Sequence, residues 1–348
     1  MKHQYEYRKA MDSIRVSEEW EDNMIQKLMN TENQAAKRSR RFPRLGLAAA
    51  AAIACLTIGA GAAEAATGAV SDFFAPLFGT AHTEIIDSIG YPIGVSDSAA
   101  GITVTADAII GDTSNVCVVF SLRKDDGSAW TEFPDKSYLN FEDSTLDFDV
   151  VSDSPNGWGA HGSSWFLDED PDRKVIRFVE QRTVENGTPK GRAKEVLKNL
   201  CVWDDEAQKS RVIAKGKWTL RFDMGFENLQ KHFPVGQTVE FLDMPATVTD
   251  ITFSPIAFRV AILQDRTEFA YSGDERYLDG NSEALDQLAV ILKLRDGREI
   301  DLGYWAGGGL DHPADGQTEL NKSGLFDEII PLEDMESVVV CGTEIPLR

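Results

Sequence analysis

The sequence predicts a mainly β protein with two immunoglobulin-like β-sandwich domains, one transmembrane helix and a short α-helical tail. Residues 217–224 alternate polar and apolar side chains with the period of two that is typical of a half-buried strand. Long helical patterns are scarce, and residues 193–200 predict at most one short helix. Turn signals separate the apolar runs. They are the Asp-Gly and Asn-Gly pairs at 126–127, 156–157, 186–187, 279–280 and 296–297.

Charge is divided unevenly along the chain of 348 residues, whose formal net charge is −22. Residues 1–44 contain ten Lys/Arg and seven Asp/Glu, a net charge of +3, so the remaining 304 residues carry −25. This reversal of sign predicts two parts in two different environments. The acidic part would repel phosphate groups, which argues against nucleic-acid binding.

The cysteines do not form a disulfide framework. Cys55 falls in an apolar segment, and the three that follow it, Cys117, Cys201 and Cys341, include no C-x-x-C pair. An odd number argues against complete pairing. We therefore expect at most one bridge, with buried free thiols as the favoured state.

A run of 19 uncharged residues at 45–63 predicts a transmembrane helix, because a helix of that length roughly matches the hydrocarbon core of a bilayer. Positive charge is retained on the cytoplasmic side, so the basic residues before the run predict a cytoplasmic N-terminus and extracytoplasmic domains after it. The membrane-flanking residues are Lys37, Arg38, Arg40, Arg41 and Arg44. Two alternatives are a cleaved signal peptide, with 63–65 (Ala-Glu-Ala) as its cleavage site, and a buried helix of a soluble protein.

Residues 1–44 predict a cytoplasmic tail with two short amphipathic helices. Their apolar residues recur at helical spacing and form two stripes. The stripes are Tyr7, Met11 and Ile14 in the first helix and Trp20, Met24 and Leu28 in the second. Ser17 is a suitable N-cap for the second helix, with acidic residues in the first turn. A tail this short rarely forms its own core. We therefore expect a protein partner that binds the helices in a groove; the alternatives are helices folded on each other or lying on the inner leaflet.

The rest of the chain is divided into a juxtamembrane segment at 64–90, a first sandwich domain at 91–245 and a second at 246–348. Apolar, β-branched runs at 102–110 and 116–122 predict strands, and residues 288–294 and 299–302 predict a hairpin. The boundary is placed near 245 because Met244-Pro245 interrupts the strand signals before residues 247–253 resume them. The order of the strands is not predicted.

The residues give no catalytic, cofactor or metal constellation, so we predict that the protein is not an enzyme. No H-E-x-x-H, G-x-S-x-G or phosphate-loop motif occurs. Residues 121–124 fit S-x-x-K at the end of a strand, where chance is the better explanation. Asp168, Asp170 and Asp172 alternate like the start of a calcium loop but lack its later ligands, which favours a solvated turn. Residues 307–309 (Gly-Gly-Gly) predict a flexible loop. His161 between two tryptophans indicates either a ligand-binding loop or the closed end of a sandwich.

Five short phrases of the sequence are AMDSIRVS at 10–17, GITVT at 101–105, VFSL at 119–122, TDITFSP at 249–255 and VVVCGTEIPL at 338–347. They resemble a family of single-span membrane proteins of Gram-positive bacteria that carry outer domains of unknown function and are linked to extracytoplasmic-function sigma factors. The resemblance covers most of the chain. It implies an anti-sigma-factor-like regulator whose tail holds a sigma factor at the membrane while the outer domains sense the envelope. Zinc-binding anti-sigma factors carry a His and a C-x-x-C in the tail. Residues 1–44 have no cysteine, so binding of a sigma factor by this tail would not involve a metal ion.

We therefore expect a membrane-anchored signalling protein, with a sigma factor as the partner of the tail and an unknown envelope ligand or protein outside. The alternative is a cell-surface adhesion or ligand-binding protein that a single span anchors. The apolar stripe at Trp20, Met24 and Leu28 discriminates the two, because an anchor needs only charge. A third possibility, a secreted ligand-binding protein, requires cleavage near Ala65.

Overall fold

The structure is a computed structural model that describes residues 70–133, 138–152, 158–204, 207–274, 279–303 and 307–348. The predicted tail, the predicted span at 45–63 and the start of the juxtamembrane segment lie outside these ranges. Among the helices that the structure describes, none is long and apolar enough to cross a bilayer. All described residues belong to one compact unit, Thr57–Arg348.

Two short helices begin the described chain within the predicted juxtamembrane segment. Helix α1 spans Val70–Phe78 and helix α2 spans Thr83–Ile89. Val70, Phe74 and Phe78 recur at every fourth position, and all three side chains are buried on one face of α1. The sequence therefore forms a packed helical pair here, although it was predicted as a joining segment without assigned structure.

The described residues after these helices form eighteen strands. In chain order they are β1 Tyr91–Ala99, β2 Ile102–Gly111, β3 Asn115–Lys124, β4 Leu139–Val151, β5 Gly159–Leu167, β6 Val175–Glu185, β7 Thr188–Asp204, β8 Lys209–Asp223, β9 Lys231–His232, β10 Thr238–Phe241, β11 Met244–Phe253, β12 Ala257–Gln264, β13 Val290–Leu294, β14 Glu299–Asp301, β15 Gly307–Asp311, β16 Thr318–Leu325, β17 Met335–Val340 and β18 Thr343–Pro346. Helix α3, Gly280–Gln287, lies between β12 and β13, and a 3-10 turn, Leu332–Asp334, precedes β17.

The strands form four sheets, and every strand pair within them is antiparallel. Sheet I has the order β1-β2-β3-β6-β5, and sheet II has the order β4-β7-β8. Sheet III has the order β10-β11-β12-β16-β15, with β9 paired to β11, and sheet IV has the order β14-β13-β17-β18. These sheets confirm the predicted mainly β class.

Sheets I and II pack face to face around one hydrophobic core, and we call this pair the first sandwich. Across the two sheets, the ring centroids of Phe120 and Phe222 are 6.3 Å apart and those of Phe178 and Phe141 are 5.1 Å apart. Phe120, Phe178, Trp218 and Leu220 are all buried in this core. The Trp218 indole also donates a 2.9 Å hydrogen bond to the carbonyl of Ile102, which satisfies its polar atom inside the core. The alternation predicted for residues 217–224 is confirmed by β8.

Sheets III and IV form the second sandwich around a separate core. Val248 and Ile262 of sheet III and Leu292 and Val338 of sheet IV are fully buried in it. The predicted hairpin is confirmed, because the turn at Asp296-Gly297 joins β13 to β14.

The first eight residues of β3 are all buried, unlike those of a strand with one solvated face. Phe120 faces the first sandwich core, whereas Cys117 and Val119 pack on the other side of sheet I. A strand buried on both faces is a continuous apolar run rather than an alternating one. This double burial explains the run at 116–122.

Two local predictions are wrong. The short helix predicted at 193–200 is part of strand β7, whose Ala193, Glu195 and Leu197 are buried at alternate positions. Tertiary burial at a period of two overrides the helix propensity of this stretch. The glycines at 307–309, predicted as a flexible loop, form the start of β15 and pair with β16.

Residue 245, the predicted boundary between domains, lies within paired strands. Strands β10 and β11 form a hairpin there, and its turn residues Leu242 and Asp243 have φ of 50° and 60°. Because Thr57–Arg348 is one compact unit, the division into domains 91–245 and 246–348 stays a prediction.

Candidate functional site at the junction of the two sandwiches

The sequence-predicted site residues all lie outside the described residues. They are the partner-binding residues Tyr7, Met11, Ile14, Trp20, Met24 and Leu28 and the membrane-flanking residues Lys37, Arg38, Arg40, Arg41 and Arg44. The structure does not test their placement. The candidate site is therefore built from the region where the described chain begins and the two sandwiches meet.

A third hydrophobic cluster, which we call the junction cluster, joins the helices to both sandwiches. Its members come from α1 and α2, from the outer face of sheet I and from the segments of the second sandwich that face it. They are Val70, Phe74, Phe78, Ile86, Ile89, Ala108, Ile110, Cys117, Val119, Leu167, Val179, Ile256, Ala257 and Ile329. Since these side chains are buried together, the helices cannot leave the body without exposing apolar surface.

Helix α1 is fixed at its first turn by a carboxylate from α2. Asp87 accepts hydrogen bonds from the backbone N–H of Ser71, at 2.8 Å, and from its hydroxyl, at 3.1 Å. The first N–H groups of a helix lack partners within the helix, and a carboxylate is favoured near them by the helix dipole. Asp87 thus holds the point at which the described chain begins.

A buried carboxylate, Asp107, lies on the outer face of sheet I. Ser121 of β3 donates a 2.5 Å hydrogen bond to it, and Asp107 is 5% exposed. Burial raises the pKa of Asp107 to about 6, while Ser121 and Arg177 oppose that rise. Arg177 also lies over the ring of Phe73 in α1 at 5.7 Å, so these charges adjoin the helix.

Asp112 joins the two sandwiches through hydrogen bonds. Its Oδ1 accepts from the backbone N–H groups of Ser114 and Asn115, both at 2.8 Å, and its Oδ2 accepts from the Ser254 hydroxyl of the second sandwich at 2.7 Å. Asp112 and Ser254 are each 2% exposed. With this many donors, the buried Asp112 carboxylate fixes the local geometry of the turn and ties it to the second sandwich.

The glycines of β15 allow the first sandwich to approach the second. A side chain at Gly307 would overlap the ring of His161, and one at Gly309 would overlap the carboxylate of Glu185. His161 Nδ1 lies 3.5 Å from Glu185 Oε1, and this contact lowers the pKa of Glu185. The structure therefore places His161 within strand β5, in a contact between the two sandwiches, and not in a loop.

A small polar cleft lies between the sandwiches beside Asp112. Asn115 and Thr183 of the first sandwich line it together with Thr252, Ser254 and Arg259 of the second. It has room for roughly one water molecule. The cleft is thus a seam between packed surfaces and is too small for an organic ligand.

Inside the first sandwich, Glu180 of β6 faces Glu195 of β7, and both are fully buried. Glu180 is bonded to Arg182 and accepts a 3.0 Å hydrogen bond from Ser144 of β4. Both carboxylate oxygens of Glu195 lack a hydrogen-bond partner. Burial, with the neighbouring Glu180, raises the pKa of Glu195 to about 8. The two glutamates share a single base, Arg182, so the protein favours a proton on Glu195.

The other polar groups that the sequence analysis singled out make structural contacts in the described part of the chain. They contain no cluster of His, Cys, Asp or Glu that could hold a metal ion. Asp170 accepts from the backbone N–H groups of Asp172, Lys174 and Val175, so the Asp-rich segment is a turn stabilised by its own backbone. Ser121 of the S-x-x-K pattern is bonded to Asp107, as described above.

The thiols beyond the predicted span are free. Cys117 and Cys201 are buried and Cys341 is half-buried. Burial raises the pKa of Cys117 to about 12, so this thiol stays protonated and behaves as an apolar side chain.

Comparison with known proteins gives little beyond this description. No family model and no curated protein matches the sequence. Among solved structures, the chain is similar to the conserved domain protein from Bacillus anthracis, with 13% sequence identity and a TM-score of 0.40 over 72% of this chain and 76% of that one. A TM-score this low supports no inference about fold or function.

Sequence reasoning missed the buried acids. Glu195 was hidden by the helical interpretation of 193–200, and Asp112 gives no signal beyond an Asp followed by Thr-Ser-Asn, a pattern common in turns. His161 was noticed for its tryptophan neighbours, but its contact with Gly307 joins residues far apart in sequence. No periodicity of one segment predicts such a pairing.

Proposed function

We propose that the protein is a membrane-anchored anti-sigma-factor-like regulator. In this proposal the tail binds a sigma factor in the cytoplasm, residues 45–63 cross the membrane, and the two sandwiches, which we take to be immunoglobulin-like domains, sense the envelope. The protein is not an enzyme in this proposal and needs no cofactor.

The single observation that carries the proposal is the second apolar stripe of the tail. Trp20, Met24 and Leu28 recur at every fourth position beside a basic run and an apolar segment. A large aromatic side chain on a short helix needs a partner that covers it, and Trp is among the residues that contribute most to such interfaces. A membrane anchor by itself would need the charge and the span but not this stripe.

The geometry of the described body is compatible with signalling through the anchor. Helices α1 and α2 follow the predicted span closely in sequence and are buried in the junction cluster, which also contains Ile256 and Ile329 of the second sandwich. A ligand that separated or realigned the sandwiches would change the environment of α1. A packed junction would transmit such a change, whereas a solvated linker would absorb it.

The alternative is a cell-surface adhesion or ligand-binding protein. Its support is the same large β-rich body, which serves either role equally well. In this alternative the stripe of Trp20, Met24 and Leu28 has no binding partner. The alternative therefore predicts that substitutions in the stripe leave transcription unaltered.

The proposal is tested by measuring transcript levels in cells that express the full chain with Trp20→Ala, Met24→Ala and Leu28→Ala together. An anti-sigma-like regulator that loses its grip releases its sigma factor, so one set of sigma-dependent transcripts should rise several-fold. The matched control carries Asp22→Ala and Gln26→Ala, which fall on the opposite side of the same predicted helix. A rise in the stripe variant alone supports the proposal; unchanged transcripts at equal protein abundance favour the adhesion alternative.

A further inference from the structure

Strand β5 differs from the other sheet edges in the described part of the chain. An edge strand exposes backbone N–H and C=O groups that can pair with another chain, and natural proteins protect such edges with charges, proline, bulges or short length. Strand β5 is nine residues long, Gly159–Leu167, and contains no Asp, Glu, Lys, Arg or Pro. Its pairing with β6 runs without a register shift from Gly159 to Leu167.

Sheets I and II protect their other edges. Strand β1 contains Pro92 and a bulge, and Asp97 accepts a 2.7 Å hydrogen bond from the backbone N–H of Thr219 in β8. Strand β4 carries four acidic residues and a bulge, and β8 carries five basic residues and irregular pairing with β7. These are the devices by which edges avoid association.

The edges of sheets III and IV are short. Strand β10 has four residues, β14 has three and β18 has four, with Pro346 among them. Strand β15 has five residues and packs its glycines against His161 and Glu185. Among the described strands, β5 therefore combines length, regularity and the absence of protection.

The outer edge of β5 is open in the described structure. Gly159, Ala160, Gly162, Ser163 and Ser164 are exposed, and β6 is the one described strand that pairs with β5. Gly162 faces Arg182 of β6 across the ladder, and Ser164 faces Glu180. Small exposed side chains leave room for a further strand beside the backbone.

The surroundings of β5 determine the charge of a suitable occupant. Residues 139–187, which include β4, β5 and β6, contain eleven Asp/Glu and four Lys/Arg. This excess of acid favours a cationic partner and disfavours a second copy of the same acidic chain.

Apolar surface lies beside the same edge. Phe141 of β4 is half-buried, and its ring lies 5.6 Å from the ring of Phe166 of β5, which is buried. A strand added next to β5 would place alternate side chains over this pair and the remaining ones over the opposite face.

From these observations we propose that the open edge of β5 binds an extended peptide of alternating apolar and basic residues, which adds a strand to sheet I. The backbone hydrogen bonds supply affinity, the apolar side chains cover the exposed part of Phe141, and the basic side chains compensate the surrounding acids. This inference names a ligand class for the outer part of the proposed regulator, and its biological meaning rests on that function. Peptide binding is measured without a sigma factor, so the peptide-binding inference and the proposed regulatory function can fail separately.

The experiment uses the purified full chain and a fluorescent eight-residue peptide of alternating valine and lysine. Two further peptides are N-methylated on all valines or on all lysines. In an extended strand the N–H groups of alternate residues point to the same side, so each pattern blocks one edge of the peptide. Strand addition uses one edge, and we expect one pattern to weaken binding at least tenfold while the other is tolerated. If the peptide is held by electrostatic attraction alone, the two methylated peptides should bind equally well. Equal binding of these two peptides would overturn the proposal.

A second measurement places the peptide on the protein. Amide hydrogen exchange of residues 159–167 should slow when the unmethylated peptide is added, while exchange in β1 stays unchanged. Ser163→Pro in β5 should abolish this protection, and Ser96→Pro in the opposite edge strand, β1, is the matched control. Protection that appears in β1 or survives Ser163→Pro in a folded variant would contradict the assignment. The exchange measurement on the unaltered chain remains decisive if Ser163→Pro does not fold.

Discussion

The buried acid pair gives a quantitative prediction, because Glu195 must be neutral to be stable where it lies. Burial, reinforced by Glu180, raises its pKa from the ordinary value of 4.5 to about 8. The folded protein therefore binds a proton more tightly than the unfolded chain does. Stability from this proton is complete below pH 4.5 and is lost progressively as the pH rises to about 8.

The magnitude follows from the same interval. One pKa unit corresponds to about 1.36 kcal/mol, so the range from 4.5 to about 8 represents a loss of about 5 kcal/mol in the free energy of unfolding. Glu195→Gln keeps the shape of the side chain and cannot ionise. The difference in stability between the variant and the wild type should therefore change by about 4 kcal/mol between pH 5 and pH 8, in favour of the variant at high pH.

The assay is urea denaturation of the full chain at each pH, followed by tryptophan fluorescence, since Trp218 is fully buried in the same core. Glu336→Gln, an exposed acid on β17, is the control and should follow the wild-type pH dependence. If Glu195→Gln also follows the wild-type curve, Glu195 is not the protonated group and the account of the acid pair is refuted.

Three further predictions concern the junction. Ser254→Ala removes the donor to Oδ2 of Asp112 and should lower the free energy of unfolding by about 1–3 kcal/mol in denaturation experiments; no loss would mean that Asp112 does not need the second sandwich. Gly309→Ala forces the Glu185 carboxylate aside and should cost about 1 kcal/mol, with faster amide exchange in β15; unchanged exchange would contradict the close packing. Asp87→Ala removes the cap of α1 and should cost about 1 kcal/mol, with faster exchange in the first turn of α1 rather than in α2.

The sequence predicted those parts of the fold in which local pattern and tertiary burial agree. The alternation of β8 and the Asp-Gly turn between β13 and β14 follow from local chemistry, and both are confirmed. Strand β3 is an apolar run because both faces of sheet I are covered, and such a run still predicts a strand.

The failures occur where distant contacts decide the structure. Residues 193–200 have a helical composition, yet they pair with β4 and β8 as a strand, and Ala193 and Leu197 are buried in the core shared with sheet I. The glycines at 307–309 resemble a loop because no local feature shows that His161 and Glu185 lie against them. Asp279-Gly280 was a turn signal, but Asp279 instead accepts from Ser282 N–H at 2.8 Å and caps α3.

The candidate site was less predictable than the fold. The tail residues were identified from helical spacing, which is a local property. Asp112 and Ser254 are 142 positions apart in sequence, and their pairing follows from how the two sandwiches stack. Such contacts require knowledge of the sheet order, which turn and strand signals do not supply.

The most direct test of the proposed function is quantitative co-purification from cells with the tagged full chain. The account predicts that a sigma factor is recovered with the wild type and with the Asp22→Ala/Gln26→Ala control. It also predicts that recovery falls at least tenfold with the Trp20→Ala/Met24→Ala/Leu28→Ala variant. Equal recovery by all three proteins would remove the stripe from the mechanism. Absence of a sigma factor from the wild-type sample would contradict the regulatory function itself.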